Sequence, residues 1–179
     1  RFGSFVSQSG NILAVGTCYA SPNGITNAGC VYLYQLEVNG SATYLTKLTA
    51  PDKAANDNFG YSISQSGNII AVGATGNGGT AYLYQLEANG SATYLTKVNA
   101  PDPTESDGFG QSVSQSGNIL AVGAYAANLA GTSHAGAVYT FDISAYTGIN
   151  TAPSDLNSTT ALSILENQPI GSIVGEFNA

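Results

Sequence analysis

The chain has 179 residues, a hydrophobic content of 43% and a formal net charge of −7, from four Lys plus Arg against eleven Asp plus Glu. That is enough apolar content to bury a core in one domain with a fragment of a second, while so few cations exclude nucleic acid as a partner, because no basic patch exists to displace its counterions. Only 8% of residues are charged, against roughly 25% in an ordinary soluble protein, so Ser, Thr, Asn, Gln and Gly cover the surface, and no apolar run approaches the ~18 residues of a membrane span. The chain opens on Arg1 rather than Met, which reads as a mature or truncated product whose targeting segment has been removed.

Phe2 opens FGSFVSQSGNILAVG, and the phrase returns as FGYSISQSGNIIAVG from Phe59 and FGQSVSQSGNILAVG from Phe109. The downstream half also recurs, as YLYQLEVNGSATYLTKLTAPD from Tyr32 and YLYQLEANGSATYLTKVNAPD from Tyr82, whereas the third copy ends in VYTFDIS. The periods are 57 and 50 residues, and the whole difference lies in one loop, with fifteen residues between Gly16 and Tyr32 and eight between Gly73 and Tyr82. Length variation confined to one loop implies a rigid framework with that loop facing solvent.

Within the second copy, residues 59–64 alternate as a strand, with a turn at Gln65-Ser66-Gly67-Asn68. Residues 69–74 form a nearly continuous apolar run, as in a strand buried on both faces. After the variable loop, residues 81–87 place Tyr82 and Tyr84 on one face and Leu83 on the other. Asn89-Gly90 predicts a hairpin turn, because both residues tolerate positive φ, followed by a fourth strand over 92–98. Residues 100–108, with Pro101 and Pro103, lead to the next copy, and no stretch carries helical periodicity. Four antiparallel strands per repeat of about 50 residues is a propeller-blade pattern. A solenoid or a β-sandwich is the competing reading, and sandwich strands seldom repeat so closely.

The pairs Phe2-Gly3, Phe59-Gly60 and Phe109-Gly110, with Ala14-Val15-Gly16-Thr17, Ala71-Val72-Gly73-Ala74 and Ala121-Val122-Gly123-Ala124 downstream, resemble the FG-GAP family. KLTAPDKAANDNFG, from Lys47 to Gly60, is similar to the bacterial branch of that family. The resemblance covers residues 1 to about 143 and implies a β-propeller related to the head of integrin α chains. From Asn150 the tail resembles the opening of a cadherin-like domain, through Ile164-Leu165-Glu166-Asn167 and the Gly171 to Gly175 stretch. The expected fold is therefore all-β: four-stranded antiparallel blades of a partial β-propeller over 1–147 (about 1–58, 59–108 and 109–147), then an extended or β C-terminal segment over 148–179, as linker and start of a cadherin-like domain.

Calcium is the cofactor to consider, since metal-binding blades of the family use a D-x-D-x-D-G type loop of alternating oxygens around a hard cation. That loop is absent, and the nearest clusters are Asp52, Asn56 and Asp57, and Asp102, Glu105 and Asp107, where shaping turns is the competing role. Glu166 matches the calcium-binding glutamate of the cadherin resemblance, without that family's linker partners. Cys18 and Cys30 sit near the two ends of one loop, where a disulfide would staple its base; two reduced, buried thiols are the alternative. Asn39, Asn89 and Asn157 lie in N-x-S/T sequons, acceptors for glycosylation in a secreted protein.

His134 has no Cys or second His spaced to share a metal. A Ser/His134/Asp142 hydrolase lacks a G-x-S-x-G nucleophile turn, and the stretch Gly73 to Gly79 lacks the Lys and helix of a phosphate loop. Glu37 and Glu87, the acids in regular repeat positions, flank a turn where solvation is the default, so a carbohydrate-active enzyme is not expected. The Tyr residues at alternate strand positions suit packing between blades, with hydroxyls reaching water.

Fewer than three full blades are present, and a closed propeller needs at least about four, so open sheet edges call for partners. The expected function is a non-catalytic extracellular adhesion or protein-interaction module of a large surface protein. The alternative is a self-assembling subunit of an extracellular filament or matrix, by blade completion or by strand donation from 161–165 or 172–177. Partners are then other copies, the rest of a longer chain, or cell-surface proteins or glycans.

Overall fold

In the computed structural model, residues 1–101, 107–128 and 134–147 are described. Strands β1 (Phe5–Ser9), β2 (Ile12–Thr17), β3 (Cys30–Leu36) and β4 (Ala42–Leu48) form one antiparallel sheet in chain order. Strands β5 (Ser62–Ser66), β6 (Ile69–Ala74), β7 (Thr80–Leu86) and β8 (Ala92–Val98) form the second. Strands β9 (Phe109–Ser116), β10 (Ile119–Ala124) and β11 (Ala137–Asp142) form a third sheet of three strands, followed by one helical turn, α1 (Ser144–Thr147). The protein is all-β, with blades of a partial propeller packed face to face. The expected C-terminal strand segment and cadherin-like start, 148–179, lie outside the described residues.

The middle blade explains the apolar run. Every residue of β6 is buried, because a strand's side chains alternate between faces and both faces of this blade are covered. Ile70, Val72, Ala74, Tyr82 and Tyr84 pack with Ala14, Val31, Leu33, Leu48 and Ala50 of the first blade. Ile69, Ala71, Ala81 and Leu83 pack toward Leu120, Val122, Tyr139 and Phe141 of the third. The two cores therefore lie between blades rather than within one.

Two local expectations differ from the structure, and the hairpin expectation is met with one refinement. The first strand of the second blade starts at Ser62 rather than Phe59, because Phe59 is drawn out into a parallel bridge with Gly29 of the preceding blade. The expected Asn-Gly hairpin joins β7 to β8, and its counterpart joins β3 to β4, with Gly40 and Gly90 at φ 82. Gly40 N donates to Glu37 O and Glu37 N to Ser41 O, at 2.9 and 2.8 Å, which is a type I turn closed by a left-handed glycine bulge. The variable loop is not simply solvent-facing either. Its C-terminal end carries the next blade, with Asn56 N donating to Thr26 O, Asn58 N to Asn27 O and Phe59 N to Ala28 O at 2.9 to 3.0 Å. Its variable length sits upstream of that fixed docking segment.

Candidate protein-interaction faces

Each joint between blades is built from the same parts. Phe59 is fully buried and meets the rings of Tyr82 and Tyr84 at 5.4 and 6.0 Å between centroids. Phe109 does the same with Tyr139 and Phe141 at 5.6 and 6.2 Å. The preceding blade leaves room for this Phe-Gly backbone through its glycines. A Cβ on Gly16 would stand 2.3 Å from Gly60 O, and one on Gly73 would stand 2.0 Å from Gly110 O. A Cβ on Gly29 or Gly79 would similarly meet Phe59 O or Phe109 O at 2.1 and 2.2 Å.

Polar groups latch the first joint. Tyr82 Oη donates to Asp52 Oδ1 at 2.9 Å, Lys97 Nζ pairs with Asp52 Oδ2, and Tyr84 Oη donates to Thr49 O at 3.0 Å. Burial alone would raise the Asp52 carboxyl, but hydrogen bonds from Lys97, Tyr82 and its own backbone outweigh it and hold the group below its ordinary value. Burial, then the neighbouring Asp52 charge, drives the Tyr82 phenol far upward, so it stays a donor. The hydroxyls thus reach protein oxygens of the preceding blade, where the sequence suggested water.

At the two outer ends of the stack the corresponding faces are more exposed. Phe2 holds its place against Tyr32 and Tyr34, at 5.7 and 6.4 Å, yet is 63% exposed. Tyr44, 5.8 Å from Tyr34, extends this aromatic face and is also exposed. At the other end Ile119 and Val138 point away from the third blade's core side and are 50% and 58% exposed. These positions correspond to Ile69 and Ala81, both buried in the second blade.

The other sequence-predicted residues have the following placements. Asp57 Oδ2 accepts from Ala54 N and its Oδ1 from Asn77 Nδ2, while Asn56 Oδ1 accepts from Asn27 Nδ2 at 3.1 Å. Asp107 is buried, and its carbonyl accepts from Ala126 N at 3.1 Å as Asp57 O does from Gly76 N at 3.0 Å. Asp52 faces the Tyr82–Lys97 latch instead, so the structure does not gather Asp52, Asn56 and Asp57 around one point. Among the described residues no three His, Cys, Asp or Glu are placed to hold a metal ion. Asp102, Glu105, Glu166 and Asn157 lie outside the described residues.

Cys18 and Cys30 are both buried and both free thiols, so the expected bridge is not formed here. The ladder pairs Cys30 with Thr17, and Cys18 has already entered the turn. Burial raises both thiols; Cys30 meets the Tyr32 hydroxyl, whereas Cys18 feels the N-terminal Arg1. Asn39 and Asn89 are exposed at the hairpin tips, where their Oδ1 atoms accept from Ser41 N and Ser91 N at 2.9 and 3.0 Å. His134 is exposed with φ 56, its backbone N donating to Asn128 Oδ1 at 2.9 Å, and Asp142 Oδ1 accepts from Ser144 N at 2.8 Å. A groove of about 520 Å³ between the first two blades is lined by Leu45, Leu86 and Glu87 among others. No helix among the described residues is long and apolar enough to cross a membrane.

The repeating joint agrees with the sequence comparison. The FG-GAP repeat family matches residues 43–92 and 93–141, more than half of the chain. The chain belongs to the FG-GAP repeat family. Each matched unit starts near a fourth strand and runs through the next three, so the family's repeat spans a joint rather than one sheet. No curated protein matches the chain. Two computationally designed proteins are similar in structure at 16% identity. For Ika4 the TM-score is 0.48, with 80% of this chain and 66% of that chain covered. For Ika8 it is 0.40, with 78% and 45% covered. The chain thus spans less than two thirds of either one's length.

Sequence reasoning missed the Asp52–Tyr82–Lys97 latch. Its signal was present: the Lys and the Ala-Pro-Asp recur at a fixed spacing in the first two copies, as Lys47 with Asp52 and Lys97 with Asp102.

Proposed function

We propose that this FG-GAP chain is a non-catalytic extracellular adhesion module that binds protein through the open face of its first blade. The observation that carries this reading is the exposed Phe2 beside half-buried Tyr32 and Tyr34, whose counterparts Phe59, Tyr82 and Tyr84 are buried under a neighbouring blade. Clustered aromatics give large contact area with few rotatable bonds, and Tyr adds a polar tip. A low-charge, hydroxyl-rich surface supports an extracellular setting, and hairpin-tip Asn39 and Asn89 would accept glycans there. Beads coated with the full chain are expected to adhere to cell surfaces, and a Phe2→Ser/Tyr34→Ser chain is expected to lose that adhesion. Equal adhesion by the double variant would refute the role of this face.

A further inference from the structure

The dipeptide Asn-Gly occurs four times, at Asn23, Asn39, Asn77 and Asn89. Asn is chemically labile, and a following Gly has no side chain to keep its backbone nitrogen from the Asn side-chain carbonyl. In three of the pairs that nitrogen is already engaged. Gly24 N donates to Ser21 O at 3.1 Å, and Gly40 N and Gly90 N donate to Glu37 O and Glu87 O, each at 2.9 Å. Gly78 N has no acceptor among the described residues, and a Cβ on Gly78 would meet nothing within 4 Å, so the space around it is open. Asn77 itself is exposed, with φ 52.

Asn77 is also the member of the set that ties two blades together. Its Nδ2 donates to Asp57 Oδ1 and, at 3.3 Å, to Ala55 O. That fastens the loop 75–79 to the segment 54–57, where Asn56 Oδ1 accepts from Asn27 Nδ2 of the first blade at 3.1 Å. On its other side the same loop abuts the third blade, since a Cβ on Gly79 would stand 2.2 Å from Phe109 O. Asp57 is only 8% exposed, so its carboxylate depends on such donors in place of water.

We propose that Asn77 is a self-modification site, at which deamidation by the Gly78 nitrogen loosens the joint between blades. Gly78 N gives its proton to solvent and its lone pair forms a bond to Asn77 Cγ. The Cγ–Nδ2 bond breaks, and ammonia leaves with a proton taken from solvent. One water then opens the cyclic imide at either of its carbonyls, leaving aspartate or isoaspartate at position 77. One water is consumed, one ammonia is released, and nothing is oxidised or reduced. The product replaces the donor beside Asp57 with a second carboxylate, so a hydrogen bond becomes a like-charge contact. This inference stands apart from the adhesion reading and does not depend on it.

Ageing the full chain in warm, mildly alkaline buffer tests it, because the four identical dipeptides are their own controls. Peptide mapping by mass spectrometry is expected to show position 77 converting severalfold faster than 23, 39 and 89 in the folded chain. In urea, where the local structure that separates them is gone, the four are expected to convert at comparable rates. Anion exchange separates the aged chain by its added negative charge, and its urea midpoint is expected to fall below that of the unconverted fraction. Asn77→Asp is expected to show a similar fall. Asn89→Asp is expected to keep the wild-type midpoint, because Asn89 Oδ1 only accepts, from Ser91 N at 3.0 Å, and a carboxylate oxygen accepts equally. Conversion at a hairpin tip before position 77 in the folded chain overturns the proposal, as does the same order of rates in urea. So does an aged fraction, converted at 77, that unfolds at the wild-type midpoint; that fraction decides the matter even where Asn77→Asp fails to fold.

Discussion

Replacing the same motif glycine in the second and third repeats should have opposite consequences. In Gly73→Ala the new methyl would stand 2.0 Å from Gly110 O and 2.2 Å from Ser62 Oγ. Ordinary contact begins at 3.4 Å, so the Phe109-Gly110 backbone must retreat by 3.4 − 2.0 = 1.4 Å. That retreat strains the Ser62 Oγ to Gly110 O hydrogen bond of 2.7 Å and unseats the buried Phe109. Overpacking costs ~1–3 kcal/mol, and because the obstacle is backbone rather than a side chain that can rotate, we expect the upper end, about 3 kcal/mol. For a chain of this size that lowers Tm by roughly 6–12 °C. In Gly123→Ala the obstacle at 2.3 Å is Ser112 Oγ, a rotatable hydroxyl. The loss of unfolded-chain entropy from Ala offsets the residual strain, for a net change within about 1 kcal/mol. Urea unfolding at the lowest workable protein concentration measures both, since association would add apparent stability by mass action. Similar losses in the two variants would show that the crowding arises within a blade, and would refute the joint as the reason for the glycine.

The Phe residues of the repeats should divide in the same way: Phe59→Ala is expected to cost about 3–5 kcal/mol as a core truncation, and the exposed Phe2→Ala under about 1 kcal/mol, both read by chemical denaturation. Tyr84→Phe should lose about 1 kcal/mol with the Thr49 carbonyl left without its donor. Asp52 has a native pKa below its unfolded value, so its contribution is present above about pH 4 and is lost as pH falls through the lowered native pKa. Asp52 and Lys97 are 45% and 40% exposed, so solvent screening limits the pair to under about 1 kcal/mol. The stability difference between wild type and Asp52→Asn should close in acid, and a gap that persists there would show that the carboxylate's charge is not what matters. Gly90→Ala, at φ 82 in the hairpin bulge, should cost about 1–2 kcal/mol from left-handed strain, measurable as a lowered thermal midpoint.

Much of this architecture is written in local pattern. The strand β8 (Ala92–Val98) falls on the predicted residues, β6 (Ile69–Ala74) does also, and β7 (Thr80–Leu86) is displaced by one, because period-two alternation and a buried apolar run depend only on near neighbours along the chain. The three-fold recurrence of Phe-Gly and Ala-Val-Gly likewise identified the blade and its family. What sequence periodicity could not reach is contact between residues from different repeats. The joint needs Gly73 to meet Gly110, Asp52 to meet Tyr82, and Phe59 to leave its own strand for Gly29, over separations of about 30 residues or more. Only the stacking of the sheets sets those distances. The same stacking gives one repeated face two fates: Phe59 and Phe109 are sealed by a preceding blade, while Phe2, in the same motif, stands open.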